Sequence, residues 1–212
     1  RLRALITIAG NPVVSTPDAG RLEAALGQLD FLLCVDAYLT ETSRHADVIL
    51  PAPSPLARSH YDVVFASLAV RNSARWSPAV LPRHADERDE GEVLLTLTAI
   101  AIGAHARAGG GAVTEPTAAQ LDDLVAAEVA RRATSEPASR AYGQDPAELL
   151  RQVAPRTGVE RLLDLSLRSG PYGEGFGTHP DGLSLASLEA APGGIDLGPL
   201  QPRLPEVLRT PS

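Results

Sequence analysis

The chain has 212 residues, a formal charge of −7 and a pI near 5.2, with 44% apolar residues but only 4% aromatic ones. That acidic balance supplies no basic face for DNA or RNA, so no nucleic-acid partner is expected. The lone Cys34 excludes an internal disulfide and any four-cysteine zinc or iron–sulfur site within the chain. No run approaches the roughly 18 apolar residues a membrane helix requires, so no membrane segment is expected; as a separate expectation, the location is cytoplasmic.

Single domains usually run to roughly 100 to 200 residues, so one core, or a domain and a half, is within reach. Its interior must be built from Ala, Leu and Val, and 18 Gly with 18 Pro imply much loop. The sequence contains no methionine, opens inside a strand-like run and stops at Thr210-Pro211-Ser212 without a closing element. It reads as an internal piece of a longer polypeptide.

Leu2 to Ala9 is apolar at its centre and ends in Gly10, the pattern of a strand covered on both faces. Thr16, with Pro17 at the first helical position and Asp18 in the first turn, predicts a helix start. Leu22, Ala25, Leu26 and Leu29 then recur at helical spacing and give one stripe to lay on a sheet. Phe31 to Val35 predicts a second buried strand, so the unit reads as a right-handed parallel crossover. Thr42 to Ala46 predicts a short helix and Asp47 to Leu50 a third strand, closed by Pro51.

From Ala52 to Arg88, with Pro at 53, 55, 78 and 82, the pattern is an ordered loop excursion with at most one strand, near Val63 to Val70. Val93, Leu94, Leu97, Ile100 and Ala101 restore a helical stripe, which Gly109-Gly110-Gly111 breaks. Leu121, Leu124, Val125 and Val129 mark another helix, with Thr117 as its cap. Asp145 to Val153 and Val159 to Leu167 predict two more, the second opening on a capping box from Thr157 to Glu160. Beyond Ser169 the chain is punctuated by Gly and Pro, and only Leu183 to Leu188 suggests a turn of helix. This tail is expected to pack on something outside the chain.

The histidines at 45, 60, 84, 105 and 179 share no helix face and no Cys/His spacing, so no metal held by this chain is expected. Ser59-His60-Tyr61-Asp62 has the letters of a catalytic triad, but adjacent residues point in different directions. Gly170 to Gly177 is Gly-rich yet lacks both the Gly-x-Gly-x-x-Gly order and a preceding strand, so it reads as a mobile or wrapping loop.

Gly10-Asn11-Pro12 is more informative. It is either an ordinary strand-to-helix turn or a ligand loop in which Gly permits a sharp turn and close approach, Asn both donates and accepts, and Pro stiffens the exit. Asp36 follows the second strand, where a carboxylate either receives two parallel hydrogen bonds from a guanine edge or ribose hydroxyls, or caps a turn. In an open parallel sheet, ligands sit outside the carboxyl ends of the strands, which puts Asn11 and Asp36 on one rim.

Taken together, Gly10-Asn11-Pro12, Leu29 to Asp36, Thr40-Glu41-Thr42 and Ala46 to Pro51 resemble the central part of the molybdopterin oxidoreductase family, which includes formate dehydrogenases and nitrate reductases. The resemblance spans about residues 1–103, with echoes at Gly193 to Gly198 and Leu204 to Pro211. It implies a molybdopterin guanine dinucleotide cofactor carrying Mo or W. Asn11 and Asp36 would then contact the guanosine portion, Val35 would present backbone, and Arg58 and Glu90, or Asp89 beside it, would supply charged contacts.

It also implies a [4Fe–4S] cluster and a metal-ligating residue elsewhere in the parent enzyme, so that this fragment alone cannot turn over. Partners would be the rest of the same polypeptide, a small-molecule substrate and an electron-transfer partner. Relatives often carry a Glu and then a Gly-Asn-x-Glu-Arg-Arg type of strand after the Leu-Pro loop. Ala57-Arg58 and Val70 to Arg75 echo that only loosely.

The expected fold is α/β, a parallel-sheet Rossmann-like layer followed by a helical, loop-rich extension, in a fragment of a larger multidomain enzyme. Its parts are a partial guanine-dinucleotide domain over 1–103, a helical extension over 104–168 and a linker over 169–212. Two other readings stand beside the enzyme fragment. One is a non-catalytic scaffold like the large iron–sulfur subunit of NADH dehydrogenases; the other is a free-standing nucleotide-binding domain.

Overall fold

Phe31-Leu32-Leu33-Cys34-Val35 has no polar side chain to offer water, and in the computed structural model it forms the central strand of a three-stranded parallel sheet. The structure describes residues 2–63, 69–84, 86–101 and 116–199. The chain divides into two units, Arg1–Arg58 with Ala79–Val93, and Ser59–Pro78 with Leu94–Ser212.

In the first unit, β1 (Ala4–Ile8) is followed by the short α1 (Pro12–Ser15), α2 (Ala19–Leu26), β2 (Phe31–Val35) and β3 (Val48–Leu50), in the sheet order β1-β2-β3. Ala4 to Ile8 lie opposite Phe31 to Val35, and Leu33 to Val35 opposite Val48 to Leu50. Leu32 and Cys34 on β2 pack with Val13 and Leu26, flanked by Leu5, Leu22 and Leu29. Burying Leu26 and Leu32 stabilises this layer by about 1.5–3 kcal/mol each.

The expectation that the first strand is covered on both faces does not hold. β1 is an edge strand, and Ile6 and Ile8 remain 45% and 54% exposed. Only β2, with a neighbour on each side, loses most of its surface; apolar content alone does not distinguish edge from centre.

The helix start also differs from expectation. Pro12 already opens a helix, and Thr16, held extended by the following Pro17, ends it; the Thr16 hydroxyl donates to the Pro12 carbonyl at 2.7 Å. Asp18, at φ 62°, is the true N-cap of α2, its Oδ1 accepting from the Arg21 N–H at 3.2 Å. The short helix expected over Thr42 to Ala46 is reduced to a single 3-10 turn at Ser43–His45.

A further helix, α3 (Glu90–Ala101), runs across the division between the units. In the second unit, α4 (Ala118–Ser135), α5 (Pro146–Val153) and α6 (Gly158–Ser169) surround Ala126, Ala130, Leu149, Val153 and Leu165. Thr117 caps α4 in a full capping box with Gln120, and Asp145 caps α5. The capping box expected at Thr157 does not form. Gly158, at φ 57°, instead gives its N–H to the distant Asp122 Oδ2 at 3.0 Å, while Glu160 lies 3.8 Å from Arg156. Tertiary packing thus supplies a cap that the local sequence does not specify.

Short strands complete this unit: β4 (His60–Tyr61), β5 (Arg71–Ala74), β6 (Trp76–Ser77) and β7 (Ile195–Pro199), with α7 (Leu185–Glu189) between the last two. β4 pairs with β6 and β5 with β7, both antiparallel. Trp76, Leu183, Leu185 and Leu188 form a second small core there. The sequence pattern does not reveal these strands, since two to five residues carry no usable period and β7 contains Gly198 and Pro199. Most of the strand expected near Val63 to Val70 lies outside the described residues, as do Gly109-Gly110-Gly111 and Leu204 to Pro211.

The Gly170 to Gly177 loop is wrapped and tightly packed rather than free. A Cβ on Gly173 would sit 2.2 Å from the Leu167 carbonyl, Arg168 pairs with Glu174, and its guanidinium lies 4.2 Å over the Phe176 ring. Among the described residues no helix is long and apolar enough to cross a membrane.

Candidate functional site

The carboxyl ends of β1 and β2 open onto a cavity of about 300 Å³, formed wholly within the first unit. Ala9, Gly10 and Asn11 line it from the end of β1, and Val35, Asp36, Ala37 and Tyr38 from the end of β2. Ala52, Pro53, Pro55 and Arg58 come from the loop after β3, and Glu90 from the start of α3. All five residues singled out from the sequence, Asn11, Val35, Asp36, Arg58 and Glu90, therefore face one space. The parallel order of the sheet brings Asn11, Val35, Asp36 and Arg58 there, because every strand delivers its following loop to the same edge, and Glu90 arrives from the start of α3.

Each polar side chain has a defined local reason for its position. Asn11 bridges the loop after β1 and the loop after β2. Its Oδ1 accepts from the Thr42 hydroxyl at 2.8 Å and the Thr42 N–H at 3.3 Å, and its Nδ2 donates to Glu41 Oε2 at 2.7 Å. That last hydrogen bond is the main reason the Glu41 carboxyl is held below the usual glutamate range. Asp36 Oδ1 accepts from the Tyr38 N–H at 3.1 Å, closing a two-residue turn. Its Oδ2 has no partner among the described residues.

Arg58 pairs with Glu90, so the two charged residues from the later loops arrive already matched. The alternative acidic residue, Asp89, has both oxygens engaged: Oδ1 accepts from Gly91 N–H at 2.8 Å and Oδ2 from Arg83 at 2.7 Å. Asp89 caps α3, and Glu90 is the one that lines the cavity. One guanidinium against two carboxylates leaves the lining formally anionic.

Other features have no signal in the sequence. The sharp bend after β1 falls on Ala9, at φ 50°, rather than on Gly10, where an added Cβ would meet nothing closer than 3.7 Å. A non-glycine residue in the left-handed region costs of order 1 kcal/mol or more, and the Ala9 N–H donating to the Val35 carbonyl at 2.9 Å helps hold it. Asp47 reads in the sequence only as part of a strand. Its Oδ2 accepts from the Leu32 N–H at 2.7 Å, tying the end of the loop between β2 and β3 back to β2. Pro53 and Pro55 stiffen the loop that forms one wall.

His60 and Tyr61 make up β4, where successive side chains face opposite ways, and burial pushes the Tyr61 phenol up. Among the described residues no three His, Cys, Asp or Glu side chains converge as metal ligands.

A polar-rimmed crevice at the carboxyl end of a parallel sheet defines a nucleotide-type or cofactor-type site. The family model described as molybdopterin oxidoreductase matches residues 2–56. The chain is 49% identical over 51 residues to the F420-dependent formate dehydrogenase subunit alpha of Methanocaldococcus jannaschii, covering 24% of this chain and 8% of that protein. It is 42% identical over 55 residues to the assimilatory nitrate reductase catalytic subunit of Bacillus subtilis, covering 26% and 8%. Over 48 residues it is 44% identical to one of the subunits of an NADH-quinone oxidoreductase from Rhizobium meliloti, covering 23% and 6%. The chain thus spans under a tenth of the length of these relatives in the part that matches. The matched region contains Asn11, Val35 and Asp36 but stops short of Arg58 and Glu90.

Proposed function

We propose that the cavity binds the guanosine portion of a molybdopterin guanine dinucleotide, in a fragment of a molybdenum- or tungsten-dependent oxidoreductase of the formate dehydrogenase or nitrate reductase kind. The observation that carries this reading is the meeting of Asn11 and Asp36 on one cavity at the carboxyl end of the sheet, within the segment that matches the family. The donor set suits the group. Asp36 offers an unshared oxygen to ring N–H groups or ribose hydroxyls, and a volume of about 300 Å³ lies at the lower end for small-molecule sites, enough for one nucleoside.

When bound, the cofactor supplies the two-electron chemistry at its metal; the residues of this chain bind and orient its nucleotide end. Asp36 accepts, the backbone of Val35 and Ala37 walls the pocket, and the Arg58–Glu90 pair closes it from the later loops. A [4Fe–4S] cluster, the metal ligand, the substrate and the electron-transfer partner belong to the rest of the parent enzyme, and the isolated fragment is not competent for turnover.

The test is Asp36→Ala in the full-length enzyme, with metal and pterin content as the measurement. Loss of one charge-assisted hydrogen bond, about 1.5–3 kcal/mol, predicts a roughly 10- to 150-fold weaker hold on the nucleotide. Unchanged loading would remove the assignment.

A second reading is favoured by one specific finding, the 44% identity to a subunit of NADH-quinone oxidoreductase. In it the same layer serves as scaffold without catalysis. A metal-ligating residue in the parent polypeptide supports the enzyme; its absence supports the scaffold.

A further inference from the structure

Thr42 ties Asn11 to the start of α1 and is fully buried, at 0% exposure. Its hydrogen-bond roles are forced. The Val13 N–H, which can only donate, gives its proton to Thr42 Oγ1 at 3.1 Å. The single hydroxyl proton is therefore directed to Asn11 Oδ1, 2.8 Å away, and the Thr42 N–H adds a second donor to the same oxygen at 3.3 Å. On the other side of the amide, Glu41 Oε2 can only accept and takes an Asn11 Nδ2 proton at 2.7 Å. A flipped amide would set oxygen against carboxylate and nitrogen against two donors, so one orientation survives.

We propose that Thr42 is a positioning residue for the cavity: it locks the Asn11 amide so that this side chain offers a ligand its remaining Nδ2 proton and no acceptor. With Asp36 acceptor-only, the two strand ends then present opposite polarities. They select a ligand with an acceptor on the Asn11 side and donors on the Asp36 side. The ligand half of this proposal rests on the guanosine reading above; the lock itself does not.

The surrounding turn holds Thr42 in place independently of any ligand. Ser43 Oγ accepts from the Thr40 N–H at 2.7 Å, Thr40 Oγ1 accepts from the Ser43 N–H at 3.1 Å, and Arg44 and His45 both reach Glu23 on α2. The lock therefore has a readout without nucleotide. The carboxyl of Glu41 is held low chiefly by Asn11, and it reports which end of the amide faces it.

The experiment compares wild-type, Thr42→Val and Thr42→Ser forms of the 212-residue chain, following the Glu41 carboxyl by NMR titration and GMP binding by calorimetry. Valine keeps the shape and removes both hydroxyl roles; serine keeps the hydroxyl. In Thr42→Val, Glu41 should titrate higher than in wild type and GMP should bind about tenfold more weakly. Thr42→Ser should restore both.

Wild-type Glu41 titration in Thr42→Val, or unaltered GMP affinity there, overturns the proposal. Should Thr42→Val fail to fold, Thr42→Ser decides alone: wild-type behaviour in both measurements upholds the lock and loss of either overturns it. A wild-type chain that does not bind GMP sinks the guanosine reading and the ligand half with it, while the Glu41 titration still decides the lock.

Discussion

The first unit holds its shape through polar links between loops, whereas the second relies on close-packed apolar layers. Around the cavity, Asn11, Thr42 and Asp47 are joined to neighbouring segments by hydrogen bonds, and beneath them lies a small buried cluster of Val13, Leu26, Leu32 and Cys34. In the second unit, α4, α5 and α6 close on Leu149, Leu165 and four fully or nearly buried alanines. The small side chains at 126, 130 and 133 let helices approach closely. A region that must leave room for a ligand cannot fill its centre with side chains, so its loops are fixed at their edges instead.

That contrast can be broken most directly in the second unit. Leu149→Ala removes a completely buried side chain and should cost about 2–5 kcal/mol in urea unfolding, while leaving GMP binding by the first unit unchanged. A loss of GMP affinity in that variant would show that the two regions are not energetically separate. Next in size is Asp36→Ala, expected to weaken nucleotide binding by the amount given above with little change in unfolding, because its hydrogen bond closes only an exposed turn. A large fall in stability would move Asp36 from ligand contact to structural cap.

A smaller effect is expected for Arg58→Ala. Its guanidinium is already matched by Glu90 and is partly solvated, so a pair of this kind contributes about 0–1 kcal/mol and cofactor loading should fall only a few-fold. No loss at all would place Arg58 among solvated loop residues.

The smallest effect is the pH dependence of the Asn11 link. The folded-state carboxyl of Glu41 lies below its unfolded value, so its stabilising contribution is present above the ordinary glutamate range, near 4.3, and is lost as pH falls through the lower folded value. Acid titration of Asn11→Ala should show Glu41 moved upward; an unmoved Glu41 would mean that Asn11 does not set it.

Much of the site is legible because its residues sit at strand ends, and strand ends are visible in sequence. Ile8-Ala9-Gly10-Asn11 and Cys34-Val35-Asp36 each mark a change from apolar run to turn, and a parallel order then brings the tips together. Arg58 and Glu90 reach the same cavity on weaker cues. Thr42 is visible only as part of a motif, since its role depends on Val13 and Asn11, some thirty positions away. Ala9 carries no cue whatever, because alanine is not a residue whose presence announces a left-handed bend.

Elsewhere the same division holds. Helices with a long apolar stripe, such as α4 and α6, follow from periodicity, and Thr117 and Asp145 announce their helix starts by local chemistry. Sequence by itself determined the α/β character of the first fifty residues and the helical middle, because these depend on contacts between near neighbours, and it marked the two strand ends that carry Asn11 and Asp36. Tertiary structure decided which strand is central, that Asp122 rather than Thr157 caps α6, and that β5 and β7 pair across more than a hundred residues. Those outcomes depend on partners that no local window contains.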